Sequence, residues 1–197
     1  MEDIFPAPQP TSVTTPDLVD IAALDPTLIL DIKYARSDNF LGRVLYPTAQ
    51  ALLQRPAAEA LVRVQCALQA RGLGLIVYDA YRPASVTQSM WDETPEAQRL
   101  FVADPAVGSK HNRGCAVDVT ICEHGKYIPL PMPSEFDEFT GRAFVDYEGG
   151  TAEERCNRAT LRSAMELEGF TVNPREWWHF DHESWPEYPL IDVPFPS

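Results

Sequence analysis

Between Cys115 and Ile121 the chain reads Cys-Ala-Val-Asp-Val-Thr-Ile. A period of two puts Cys115, Val117, Val119 and Ile121 on one face and Ala116, Asp118 and Thr120 on the other, which is the pattern of a β-strand. The strand is apolar along its length except for a carboxylate near its middle. A carboxylate in such a setting is costly to bury unless it is paired or coordinates a cation. The fold must therefore deliver positive charge or a metal to Asp118. The loop leading into the strand, Ser109-Lys110-His111-Asn112-Arg113-Gly114, brings a histidine toward the same point. Gly114 lets the backbone turn there, and Ala116 leaves room beside Asp118.

The remaining pattern is of separate helices and short strands. Leu28 to Ile32 is rich in β-formers, and Leu75 to Tyr78 reads as a buried strand. Pro56 to Arg71 is helical: Pro56 suits a first turn, and Ala58, Leu61, Val62, Gln65 and Leu68 share a face. A second helix is predicted from Ala84 to about Glu93, and then a loop over 94–110 with a short turn near Glu96 to Phe101. The Pro-, acid- and Gly-rich segment from His124 to Gly150 is loop. Thr151-Ala152-Glu153-Glu154 is a capping box that opens a helix running to about Glu168, where Gly169 stops it. Trp177 to Asp181 is the last predicted strand. Strands and helices that do not strictly alternate point to an α+β fold. Residues 1–17, with Pro6, Pro8, Pro10 and Pro16, form an irregular arm, and residues 18–197 a single domain.

The net charge of −13, from 16 basic and 29 acidic residues, argues against nucleic acid or an anionic membrane surface as a partner. No apolar run approaches the ~20 residues that cross a bilayer, and the first residues carry no basic and apolar leader, so a cytoplasmic location is expected. Cys66, Cys115, Cys122 and Cys156 form no CxxC pair and read as free thiols of a reducing compartment. A homo-oligomer is left open by the sequence.

Of the four histidines, His111 and His179 stand in chemically suggestive contexts. His179 lies in Arg175-Glu176-Trp177-Trp178-His179-Phe180-Asp181-His182. The aromatic run beside Glu176 is the kind of apolar wall that raises a carboxylate's pKa toward neutrality. Two imidazoles and one carboxylate make a catalytic zinc set with a fourth position open. A glutamate that is not a ligand can then shuttle a proton. His182 has the opposite strand parity to His179, so the two do not reach one metal, and His124 is expected at the surface. Arg82, before a proline at a strand end, reads first as a structural ion-pair arginine and only second as a catalytic one.

The run Ser109-x-His111-x-x-Gly114-x-Ala116-x-Asp118, followed by Glu176-x-x-His179, resembles the D-alanyl-D-alanine dipeptidases. These are zinc peptidases of the vancomycin-resistance type, related to zinc D,D-carboxypeptidases and more distantly to the hedgehog domain. Further blocks are similar to that family in the same order: Asp31-Ile32-Lys33-Tyr34-Ala35, Asp38-Asn39-Phe40-Leu41-Gly42 and Tyr78-Asp79-Ala80-Tyr81-Arg82-Pro83. The resemblance implies one zinc per chain, held by His111, Asp118 and His179, with Glu176 as general base and Arg82 stabilising the oxyanion. It further implies that Ser109, Tyr34 and Asp137 contact substrate, with Asp137 pairing with the ammonium group of a D-alanyl-D-alanine dipeptide. The family either depletes a cell-wall precursor, conferring antibiotic resistance, or recovers D-alanine. The segment between Trp91 and Ser109 is shorter than in the resistance-type members, which leaves the pocket rim at 92–108 undefined.

The expected architecture is a small, mostly antiparallel sheet with packed helices and the zinc site at one side. Two rivals stand beside the dipeptidase: a D,D-carboxypeptidase acting on longer peptidoglycan peptides, and a non-catalytic zinc-binding interaction protein. A metal of purely structural purpose needs neither Glu176 nor Arg82, which argues against the second.

Overall fold

A computed structural model describes residues 14–195. The expected N-terminal arm therefore lies largely outside the described residues, and 14–17 have no regular structure. A first strand, β1 (Leu18–Asp20), leads into a single turn, α1 (Ile21–Leu24), capped by the Asp20 carboxylate on the Ala22 N–H. β1 pairs antiparallel with β3 (Leu52–Gln54) in a two-stranded sheet. The main sheet contains β2 (Ile29–Leu30), β4 (Leu73–Asp79), β5 (Ala116–Glu123), β7 (Glu176–His182) and β6 (Phe170–Asn173), in that spatial order. Only the β2–β4 pairing is parallel. The mixed α+β architecture expected from the sequence is thus present.

Two long helices, α2 (Arg55–Gln69) and α4 (Ala152–Glu166), pack on one side of this sheet. The period of two decides what each face does. Leu75, Val77, Val117, Val119 and Ile121 join the main core with Leu61, Val64, Leu68, Leu161 and Met165. Ile76, Tyr78 and Cys122 point the other way into a smaller cluster under Phe136. Asp118 shares that second face, away from the helices. α4 starts as its sequence predicts: the Thr151 hydroxyl accepts the Glu154 N–H at 3.1 Å, and the Glu154 carboxylate accepts the Thr151 N–H at 2.6 Å.

Local departures from the sequence reading have visible causes. The strand expected over Leu28 to Ile32 shortens to two residues, because Ile32 turns the chain into a 3₁₀ helix, Lys33–Ala35. β6, not expected, is a four-residue strand directly after Gly169, too short to declare itself by period. α3 (Ala84–Glu93) and a 3₁₀ turn, Glu96–Phe101, fall where they were expected. The Pro-rich C-terminal segment docks across the turn after β4. The Tyr81 hydroxyl donates to the Val193 carbonyl at 2.9 Å, and the Phe195 ring packs on Tyr46 and Tyr81.

Candidate active site

Two strands and one turn converge at one end of this second face. Asp118 on β5 and His179 on β7 are direct cross-strand partners in the antiparallel register, which holds side chains about 5 Å apart at Cβ. His111 arrives from a 3₁₀ turn, His111–Arg113, that ends at Gly114 with φ of +69°. A side chain at Gly114 would strain that backbone and sit 2.5 Å from Leu18 Cδ2. This glycine is what lets the turn meet β5 closely enough for His111 to face Asp118.

His111 Nε2, His179 Nδ1 and Asp118 Oδ1 form a triangle. His179 Nδ1 lies 3.0 Å from each of the other two, and His111 Nε2 lies 3.3 Å from Asp118 Oδ1. A tetrahedral zinc with bonds of ~2.0–2.1 Å separates its donors by ~3.3 Å, so these edges fit that ion. Among the described residues these three are the group of histidine, cysteine and acid side chains able to hold a metal. His111 Nδ1 sits 2.6 Å from the Ala80 carbonyl, to which it donates its N–H, leaving the Nε2 lone pair for the triangle. Burial alone would raise the Asp118 carboxyl, but the His111 and His179 imidazoles hold it below the ordinary carboxylate range. Burial opposes charge on His179 as well, yet Asp181 and Asp118 together lift its pKa well above the usual value.

Around the triangle lies a cavity of about 440 Å³, lined among others by Tyr34, Arg82, Ser109, Asp137, Glu176 and Trp178. That is within the ~300–1,000 Å³ of small-molecule sites. Its rim, undefined by the sequence, is built by 100–103 with Gly108 on one side and 171–175 on the other. Glu176 opens β7, three residues before His179, and on a regular strand the two would face opposite sides. A register irregularity opposite Asn173 brings both to the cavity, with Glu176 Oε2 at 4.0 Å from His179 Nδ1. Asn173 Nδ2 donates to the same Oε2 at 2.8 Å. Burial lifts the Glu176 carboxyl to about 7.

Arg82 forms the structural ion pair its sequence context allowed, and it does so at the cavity wall. Its Nε and Nη2 donate to Asp79 Oδ2 at 3.0 and 2.7 Å, and its guanidinium lies 5.1 Å over the Tyr34 ring at the cavity wall. Asp137 has a left-handed backbone, φ +57°, and its carboxylate accepts the Tyr34 hydroxyl at 3.1–3.2 Å. No cationic side chain pairs with it among the described residues. Burial, reinforced by Asp118 and Glu176, pushes the Asp137 carboxyl well above its ordinary range. Ser109 is buried, and its hydroxyl accepts the His111 N–H at 3.2 Å, so it shapes the turn while lining the cavity.

A family model described as D-ala-D-ala dipeptidase matches residues 14–195. The chain belongs to the D-ala-D-ala dipeptidase family. A D-alanyl-D-alanine dipeptidase of Escherichia coli (strain K12) is 38% identical over 178 residues, covering 90% of each chain. Those of Enterococcus faecalis (strain ATCC 700802 / V583) and Enterococcus faecium are 32% and 30% identical, covering 85% of this chain and 88% of theirs. The likeness therefore spans most of each chain rather than a motif. No helix among the described residues is long and apolar enough to cross a membrane.

Within this dipeptidase-family site, sequence reasoning missed Asp79, Asn173 and Asp181. Asp79 is fully buried, accepts the Tyr46 hydroxyl at 2.8 Å, and faces Asp118 across an irregularity between β4 and β5. Its signal was its place three residues before Arg82 at the end of an apolar strand. Asp181 lies 2.9 Å from His179 Nε2, and its signal was strand parity with His179. His182 instead bonds Ser184 at 2.8 Å and packs on Phe170, and His124 is exposed, as expected of both.

Proposed function

We propose that the protein hydrolyses D-alanyl-D-alanine to two D-alanine molecules, using one zinc ion per chain held by His111, Asp118 and His179. The observation that carries this reading is the half-buried Asp137 carboxyl group, which pairs with no cationic side chain among the described residues, in the cavity that also holds the donor triangle, Glu176 and Arg82. A carboxylate so placed calls for the ammonium group of a short substrate. When bound, the zinc supplies Lewis-acid polarisation and a water acidified to a pKa of ~7.

The chain's own groups account for the rest. Glu176, with its carboxyl raised to about 7, takes a proton from the attacking water and returns it to the departing amine nitrogen. Asn173 keeps that carboxylate turned toward the donors. Arg82, locked by Asp79 in a buried position, presents a fixed positive charge to the oxygen on which negative charge develops. Tyr34 holds Asp137, and Asp137 fixes the substrate's amino end relative to the scissile carbonyl. Ser109 keeps the His111 turn in place and borders the substrate. The four cysteines are all free, which suits a reducing compartment such as the cytoplasm.

The test compares free and N-acetylated D-Ala-D-Ala. Acetylation removes the ammonium group and leaves the half-buried Asp137 without its cation, so kcat/KM should fall about a hundredfold or more. Asp137→Asn should depress turnover of the free dipeptide far more than that of the blocked one. Equal rates on the two substrates would overturn the reading in favour of a carboxypeptidase on longer peptides.

A further inference from the structure

We infer that Asp181, itself held by Lys110, sets which nitrogen of His179 faces the metal donors and acts as a positioning residue for that centre. The inference rests on the donor triangle described above.

A neutral imidazole offers one N–H and one lone pair, and only the lone pair can bind a metal. His179 meets the triangle through Nδ1, so its Nε2 has to carry the proton. Asp181 Oδ1 lies 2.9 Å from that Nε2, and a carboxylate can only accept. The ring is thereby fixed in the tautomer and rotation that aim Nδ1 at Asp118 and His111. The strand makes this arrangement rigid. Asp181 follows His179 by two positions on the same face of β7, and its backbone is paired on both sides, with Ala116 of β5 and Thr171 of β6.

The other carboxylate oxygen of Asp181 lies 3.4 Å from Lys110 Nζ, which in turn lies 5.4 Å over the Trp185 ring. Lys110 immediately precedes His111. The loop that carries one donor thus also steadies the residue that orients another. His111 is oriented by a backbone carbonyl, which no side-chain change can remove. His179 is oriented by a side chain, so its alignment is encoded at a single position. The Asp181 side chain is 19% exposed and that of Lys110 41%, so solvent screens the outer contact more than the inner one.

The experiment measures zinc affinity of the full chain by competition with a chromophoric chelator, at fixed pH. It compares wild type, Asp181→Ala, Asp181→Asn, Lys110→Gln and His179→Ala. Asp181→Ala should bind zinc about 10–100-fold more weakly. Asp181→Asn, which is isosteric and keeps an acceptor without the charge, should fall between it and wild type. Lys110→Gln should lose less, and its deficit should shrink as salt is added. Ring ¹⁵N–¹H spectra of the zinc-loaded protein should show a protected Nε2–H on His179 that Asp181→Ala loses. A role confined to stability would leave both affinity and spectrum of the folded protein unchanged. Zinc affinity within about twofold of wild type in both Asp181 variants, with His179→Ala deficient, overturns this inference alone. A wild type that binds no zinc, or a His179→Ala variant that binds as wild type does, overturns the metal reading and this one with it.

Discussion

Removing the Asp79 carboxylate should be among the most damaging single changes in the chain. Asp79 has no exposed surface, and Arg82, whose Nε and Nη2 it binds at 3.0 and 2.7 Å, is 8% exposed. Asp79→Ala leaves that guanidinium buried without its partner, which costs about 3–5 kcal/mol. It also strands the Tyr46 hydroxyl, adding about 1 kcal/mol. The nearest alternative acid, Asp118, is 3.8 Å from Arg82 Nη2 and already engaged by two imidazoles, so it does not replace the lost pair. At about 2–4 °C per kcal/mol for a chain of this size, a loss of about 4 kcal/mol lowers Tm by about 8–16 °C. Urea denaturation of the metal-free protein, followed by tryptophan fluorescence, reads the loss directly. Asp79→Ala combined with Arg82→Met removes the stranded charge, so the double variant should be about 2 kcal/mol more stable than Asp79→Ala alone. A loss below about 1 kcal/mol in Asp79→Ala, or a double variant no better than the single, would refute the reasoning.

Three further outcomes are expected. Glu176→Gln should retain about one zinc per chain, yet lose ~10²–10⁴-fold in turnover of D-Ala-D-Ala; loss of the metal by this variant would mark Glu176 as a ligand. Thr151→Ala removes the hydroxyl that caps α4 at 3.1 Å and should cost about 1 kcal/mol in urea melts, with no change in KM. Burial pushes the Cys115 thiol from its ordinary 9.0 to about 12. The folded chain therefore keeps a proton that the unfolded chain gives up, and stability should decline as pH rises through that window, by up to about 1.4 kcal/mol per unit. Cys115→Ala should show a shallower decline between pH 9 and 11, and an unchanged slope would contradict the assignment.

What could be read along the chain was whatever is written in neighbouring residues. The alternation around Asp118 announced a strand, the Thr151 and Glu154 pair announced a capped helix, and both stand where they were expected. His111, Asp118 and His179 were singled out as candidate donors because the motif spacings around them resemble a family, and the structure brings the three together. Strand register was not legible, since it depends on pairings between segments far apart in sequence. The structure makes Asp118 the partner of His179 across β5 and β7. It also introduces the two irregularities that turn Asp79 toward Asp118 and Glu176 toward His179. A one-residue slip in either pairing would have sent those side chains to the opposite face. Asp181, Asn173 and Asp79 matter through contacts with residues brought close by those pairings. The local sequence thus announced most of the elements and the residues that converge on the candidate site. Only the tertiary structure decided which of those side chains meet, because hydrogen-bonded register and the packing of α2 and α4 set the distances between them.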